Sequence, residues 1–339
     1  MHLSISGEHG TLDGTVYTAS SAGVETVTLT SPSTGASGTA QIYVVDSLTA
    51  LTVTQGEAGS AVTTLSPQPG ESIQLGLAGQ WNGLSVSLDG AHAVWSVTGN
   101  VGMVTEDGLF TASHFSNASG SVVAVCGGQS QSVSLTLPIS FLDVDDSWAR
   151  DFIMTLANQG IVGGVNTDTG TMYYPGRNIT RQEFFIMLCN ILKVDPAAYA
   201  DTELPFADTE QIPSWSLNYI KAMYALGYTS GSTGADGKLY SNYGKNITRS
   251  EIATLLGQFL SPNENFQPIA FTDQDQIPQW ALPGMLNVVS NGLMGGYPDG
   301  TIRSTNPATR AEVAVILCNF QNLLNKPAIE ESESPTTGA

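Results

Sequence analysis

Six arginines occur in this chain of 339 residues, and three of them, Arg181, Arg249 and Arg310, stand second in a repeated Thr-Arg-x-Glu tetrapeptide. Thr-x-x-Glu ahead of an apolar run is a helix capping box, in which the Thr hydroxyl takes one unpaired N–H and the Glu reaches back for another. Thr180 with Glu183, Thr248 with Glu251 and Thr309 with Glu312 fit that role. The arginine between them then falls at the first helical position, where the helix dipole disfavours a cation by about 0.3–1 kcal/mol. A cost accepted three times implies a further task. Two tasks fit equally: a guanidinium beside free helix N–H groups makes an anion site suited to a carboxylate or phosphate, or each Arg forms an ion pair with Asp143, Asp208 or Asp273 of its own or an adjacent repeat.

Two more residue sets could touch a ligand. Trp148, Trp215 and Trp280 each follow a Phe-x-Asp; taken singly each reads more readily as core, although sugar rings dock on aromatic faces. Gly163-Gly164 and Gly295-Gly296-Tyr297 follow the first helix of their repeats, where glycine lets a ligand approach the backbone and turn formation alone explains them about as well.

These residues belong to one unit present three times. Phe141, Phe206 and Phe271 lie 65 residues apart, a spacing that marks a supersecondary unit burying its open face against its neighbours. Within a unit, Trp148, Phe152 and Leu156 fall at i, i+4 and i+8, which predicts a helix carrying all three on one face, and Gly160 stops it. Glu183 to Leu192 gives the second helix. Trp215 to Leu226, Glu251 to Leu260, Trp280 to Val289 and Glu312 to Leu324 repeat the plan. Cys189 and Cys318 stand eight residues after their repeat's Arg, with Gly257 in that place in the middle copy, so all three read as equivalent small core positions.

Residues 1 to about 138 are rich in Ser, Thr, Val and Gly and alternate in short runs such as Thr26-Val27-Thr28-Leu29-Thr30, which predicts an all-β sandwich. The segment Gly14 to Ser20 matches Asp107 to Ser113. Residues 47–138 have the size of one complete immunoglobulin-like sandwich, and residues 1–46 hold only the last strands of another. An unpaired edge follows, and with it the expectation that this chain is the C-terminal part of a longer protein. The acidic residues 327–339 are expected to be disordered.

The net charge of −19, with no Lys or Arg before Arg150, disfavours nucleic acid and anionic membranes. No run of eighteen apolar residues is present, so no membrane insertion is expected. All four His lie in the β region, without ligand spacing and without a catalytic Ser or phosphate-loop motif. No enzyme activity, cofactor or metal is expected; a protein-binding adhesin, or the C-terminal part of a surface enzyme whose catalytic domain lies elsewhere, remain the alternatives.

The combination of Phe-x-Asp, Trp, Gly160-Ile161-Val162-Gly163-Gly164, Tyr174-Pro175 and Ile179-Thr180-Arg181-x-Glu183 resembles the S-layer homology domain, with three motifs at about 141–193, 206–260 and 271–324 in a domain spanning 139–326. The third copy has Ala308 before its Thr, and the middle copy lacks the aromatic-Pro pair. The β region resembles bacterial immunoglobulin-like (Big-type) modules. The resemblance implies a multidomain chain in which an all-α, three-repeat pseudo-trimer follows the all-β sandwich region, located extracellularly at a bacterial cell wall or S-layer surface. Its grooves would hold anionic secondary cell-wall polysaccharide, with the motif Arg meeting a pyruvate-ketal carboxylate and the β modules serving as spacer or binding a protein ligand. Changing all three arginines to Ala is then expected to abolish wall binding and leave the fold intact.

Overall fold

The computed structural model describes residues 2–56, 59–88, 93–263 and 270–325; the acidic tail 327–339 lies outside them. The described residues form two compact units, one within residues 2–140 with 166–171, the other within residues 141–165 with 172–325.

The first unit is all-β, as the alternating pattern requires. Its strands are β1 (His2–Ser6), β2 (Gly10–Asp13), β3 (Val16–Ala19), β4 (Gly23–Thr30), β5 (Ser37–Val44), β6 (Ala50–Gln55), β7 (Thr64–Leu65), β8 (Ser72–Trp81), β9 (Leu84–Leu88), β10 (Val94–Thr98), β11 (Gly102–Val104), β12 (Leu109–Ala112), β13 (Ser119–Cys126) and β14 (Gln129–Thr136). One sheet runs β10-β13-β14-β7, a second runs β11-β12-β8-β6 with β9 on β8, and β1-β4-β5 and β2-β3 form two smaller sheets. The apolar residues of the two larger sheets meet in one core, where Val53, Leu77, Phe110, Val122 and Val133 are completely buried.

The second unit contains α1 (Arg150–Asn158), α2 (Arg181–Leu192), α3 (Ser214–Ala225), β17 (Ser232–Thr233), β18 (Leu239–Tyr240), α4 (Arg249–Gly257), α5 (Leu282–Ser290) and α6 (Arg310–Leu324), while the short strands β15 (Val165–Asn166) and β16 (Thr171–Met172) each have one residue in either unit. The all-α expectation is therefore wrong: strands and helices are mixed. Two-stranded hairpins, β15-β16 and β17-β18, close the loops of the first two repeats, and bridges join Asn178 to Thr309, Thr180 to Asn246 and Thr248 to Pro307. The physical reason is that a chain returning from one helix to the next must pair its backbone polar groups. Strands of two residues leave no alternating signature in the sequence.

Glycine ends the first helix of each repeat as expected, with Gly160, Gly227 and Gly292 at φ +71°, +77° and +72°. Cys189 and Cys318 are buried, with burial pushing the Cys189 thiol up to about 12. Gly257 is buried too, and its reason is backbone proximity. A Cβ there would lie 2.6 Å from the Cα of Gly284, so α4 and α5 meet through two glycines.

Candidate functional site

All three capping boxes form. The Thr180, Thr248 and Thr309 side chains accept from the backbone N–H of Glu183, Glu251 and Glu312, and each Glu side chain accepts in return from the backbone N–H of its Thr. The helix starts are not free anion sites, however. Arg181, Arg249 and Arg310 donate their backbone N–H to the carbonyls of Lys245, Asn306 and Arg177 at 2.9, 3.0 and 2.8 Å, and the next residues, Gln182, Ser250 and Ala311, donate to Tyr243, Ser304 and Pro175. Each start is thus sealed by the loop of another repeat.

The arginine side chains extend the same ring. Arg181 of the first repeat reaches the second, donating to Ser241 O (3.3 Å), Glu251 Oε1 (2.9 Å) and Thr229 Oγ1 (3.4 Å). Arg249 of the second reaches the third, at Ile302 O (2.9 Å) and Gly295 O (2.6 Å), with Glu312 3.9 Å away. Arg310 of the third returns to the first, at Tyr173 O and Gly163 O (2.8 Å each), with Glu183 at 4.0 Å. Arg310 also lies over the Tyr173 ring, 4.2 Å from its centroid. Burial lowers the Arg310 pKa and raises that of Tyr173 to about 12.

Asp143, Asp208 and Asp273 are not the partners of these arginines. Asp143 accepts from the N–H groups of Tyr173 and Tyr174, Asp208 from Ser241 and Asn242, and Asp273 from Ile302 and Arg303. The second residue of each pair has a left-handed backbone, with φ of 59°, 53° and 48°, and two N–H groups turned onto one carboxylate hold that conformation in place. For Asp273 those bonds outweigh desolvation and lower its pKa. Sequence reasoning credited Glu183, Glu251 and Glu312 with capping alone. The ring shows that one carboxylate caps a helix and faces the preceding repeat's arginine, a double role that only their threefold recurrence hinted at.

The tryptophans depart from the core reading. Trp148, Trp215 and Trp280 are 69%, 54% and 59% exposed. Although Trp148, Phe152 and Leu156 are spaced as one helical face, α1 starts only at Arg150, so Trp148 precedes the helix while Leu156 is buried within it. Trp215 sits in the first turn of α3, off the face that buries Ile220 and Met223.

One groove, of about 910 Å³, gathers several of the expected residues: Trp148, Asp143, Arg249, Gly295, Gly296 and Tyr297 line it, with Pro175, Glu312 and the α6 residues Val315 and Ile316. Trp215, Trp280, Arg181, Arg310, Asp208, Asp273, Gly163 and Gly164 are not part of it. Gly296 is there for packing, because a Cβ would lie 2.6 Å from the Phe271 ring, whereas a Cβ at Gly295 would meet nothing within 4 Å. The guanidinium carbons of Arg303 and Arg249 lie over the Tyr297 ring, 3.9 and 5.0 Å from its centroid, and Tyr297 donates its hydroxyl to Glu312. The groove therefore offers an exposed indole, an anchored phenol, an unobstructed glycine backbone and the one edge of Arg249 not spent on carbonyls. Such a surface suits a sugar ring bearing an acid group.

Residues 140–185, 205–235 and 270–314 match the model of the S-layer homology domain. Among curated proteins the chain is 32% identical over 184 residues to exoglucanase XynX of Acetivibrio thermocellus, covering 53% of this chain and 16% of that protein. It is 32% identical over 185 residues to amylopullulanase of Thermoanaerobacterium thermosulfurigenes, covering 52% and 9%. It is 28% identical over 175 residues to the cellulosome-anchoring protein of Acetivibrio thermocellus, covering 49% and 37%. The matched stretch thus spans well under half the length of each of these relatives. The likeness places the chain at the extracellular cell-wall surface, and none of the described helices is long and apolar enough to cross a membrane.

Proposed function

We propose that this chain, whose second unit carries three S-layer homology motifs, fastens a surface protein noncovalently to the cell wall by holding an anionic secondary cell-wall polysaccharide in the Trp148 groove. The observation that carries the reading is the joint presence, in about 910 Å³, of Trp148, Tyr297 and Arg249. Trp148 is the residue that a sugar ring would cover, since leaving an indole 69% exposed serves no packing purpose in the unit itself. Arg249 meets the acid group, a pyruvate ketal or its equivalent, with the guanidinium edge that now faces Glu312 at 3.9 Å. Both carboxylate oxygens of Glu312 are already engaged, by Tyr297 and by the backbone of Thr309, so an incoming carboxylate competes with a weak pair rather than a direct one.

The middle repeat offers less. Arg181, which reaches it from the first repeat, is held directly by Glu251 at 2.9 Å, and its guanidinium has no comparable edge to give. The repeats act as anchor and not as catalyst in this reading, and the β unit is a spacer. The two enzyme relatives and the cellulosome-anchoring relative support an anchor that can be joined to different cargoes.

Co-sedimentation with purified cell walls tests the reading. The chain is expected to pellet with intact walls and to stay in solution with walls stripped of secondary polysaccharide, and the Trp148→Ala variant is expected to pellet poorly with either. Equal pelleting with stripped walls would overturn it.

A further inference from the structure

The three capping glutamates occupy equivalent places in the ring, yet their Oε1 atoms are held in three different ways. In each, Oε2 accepts the backbone N–H of the Thr that opens its helix. Among the described residues, Oε1 of Glu251 accepts from Arg181 alone, at 2.9 Å. Oε1 of Glu183 accepts from Arg177 of its own repeat, and Arg310 stands off at 4.0 Å. Oε1 of Glu312 accepts the Tyr297 hydroxyl, and Arg249 stands off at 3.9 Å. Where Oε1 has a donor from its own repeat, the arginine arriving from the preceding one is thus at 3.9 or 4.0 Å in place of 2.9 Å.

Of the three repeats, the third alone has a phenol for this task. A Cβ at Gly231 or Gly296 would meet the ring of Phe206 or Phe271 at 2.5 or 2.6 Å, which makes these two glycines equivalent. The residue after them is Ser232 in the second repeat and Tyr297 in the third, and Val165 follows Gly164 in the first. Tyr297 is also fixed independently of Glu312. Its backbone N–H donates to Thr301 O at 2.8 Å and its carbonyl accepts from Gly300 at 2.9 Å. The Arg303 guanidinium over its ring is itself held by Asp299 at 2.7 Å. Burial and the Glu312 carboxylate raise the Tyr297 pKa, so the hydroxyl keeps its proton and stays a donor.

The consequence falls on Arg249. Its Nε and Nη2 are spent on Ile302 O and Gly295 O at 2.9 and 2.6 Å, which leaves Nη1 as the edge for a ligand. A glutamate in direct reach would take that edge with a charge-assisted bond, in a place where the Arg249 side chain is 4% exposed.

We infer that Tyr297 is a positioning residue for the polysaccharide site proposed above, on which this inference rests: by holding Glu312 Oε1 away from Arg249 Nη1, it keeps that guanidinium edge open to the acid group of the sugar. The hydroxyl acts through Glu312 and needs no contact with the polymer. Arg181, clamped by Glu251, shows the state that Arg249 would adopt without it.

Tyr297→Phe removes the hydroxyl and keeps the ring beneath both guanidinium groups. In a crystal structure of the full-length variant without polymer, Glu312 Oε1 is expected to close on Arg249 Nη1 from 3.9 Å to about 2.9 Å, the separation of Glu251 from Arg181. An unchanged gap would mean that the carbonyls of Ile302 and Gly295 set it, and would overturn the inference. In calorimetric titration of the full chain with purified secondary cell-wall polysaccharide, Tyr297→Phe is expected to weaken binding about tenfold. Beside Glu312→Gln, whose neutral amide forms no ion pair, the same change is expected to weaken it by less than about twofold. Equal loss in both backgrounds would show the hydroxyl touching the sugar itself and would overturn the positioning role. A parent chain that binds no polymer would overturn the anchoring reading and with it the site this residue serves, whereas the structure of the variant reports on Tyr297 alone.

Discussion

Replacing Arg310 by Ala is expected to destabilise the second unit far more than it alters any ligand surface. Its side chain is 6% exposed and donates to two carbonyls, Tyr173 O and Gly163 O, at 2.8 Å each. Truncation leaves both acceptors without their donor, at about 1–3 kcal/mol each, and removes a stacked guanidinium, worth about 0.5–1 kcal/mol. Water entering the vacated space recovers part of this, so the expected loss is about 3 kcal/mol. For a unit of this size each kcal/mol lowers Tm by about 2–4 °C, which gives a fall of roughly 6–12 °C in scanning calorimetry. Arg310→Lys keeps the charge but cannot reach both carbonyls, and should fall between the two. A melting temperature within about 2 °C of the parent for Arg310→Ala would refute the clamp reasoning. The triple Ala variant, which the sequence alone expected to fold and merely lose binding, is accordingly expected to unfold.

Three further outcomes follow from the geometry. Trp148→Ala, at an exposed position, should leave Tm unchanged and weaken polysaccharide binding by about 1–2 kcal/mol, or roughly 5–30-fold in Kd by calorimetry. Gly257→Cys, which installs the residue of the other two repeats, should cost about 1–3 kcal/mol in urea unfolding because its Cβ meets the Gly284 Cα at 2.6 Å. On acidification, Glu183 contributes with a definite sign: burial raises its pKa, but Arg177 and Thr180 more than offset that and hold it below its ordinary 4.5. Its stabilisation is therefore full above pH 4.5 and lost as pH falls through the lower folded value, so urea midpoints should be flat above that pH and drop below it, and a Glu183→Gln variant should show a shallower drop.

Local chemistry was legible in the chain; chemistry between repeats was not. The capping boxes, the glycine helix stops and the small buried positions at Cys189, Gly257 and Cys318 each depend on a few neighbouring residues or on one repeat's equivalence to the next. The hydrogen-bond partners of the arginine side chains lie 46 to 147 positions away, and no single-repeat pattern reports them. Trp148 was misread for a related reason: its spacing to Phe152 and Leu156 is helical, but the helix begins two residues later. The hairpin strands, two residues each, are too short for any period to register. In the β unit the alternation was plain, and the match of Gly14–Ser20 to Asp107–Ser113 already marked a repeated module.

The most direct test of wall anchoring through an acid-bearing sugar is calorimetric titration of the chain with purified secondary cell-wall polysaccharide, before and after mild acid removes its pyruvate ketals. Binding to the intact polymer that is lost on removal of the ketals, and weakened by Trp148→Ala, is the predicted result. Equal binding to both forms, or none to either, would contradict the account.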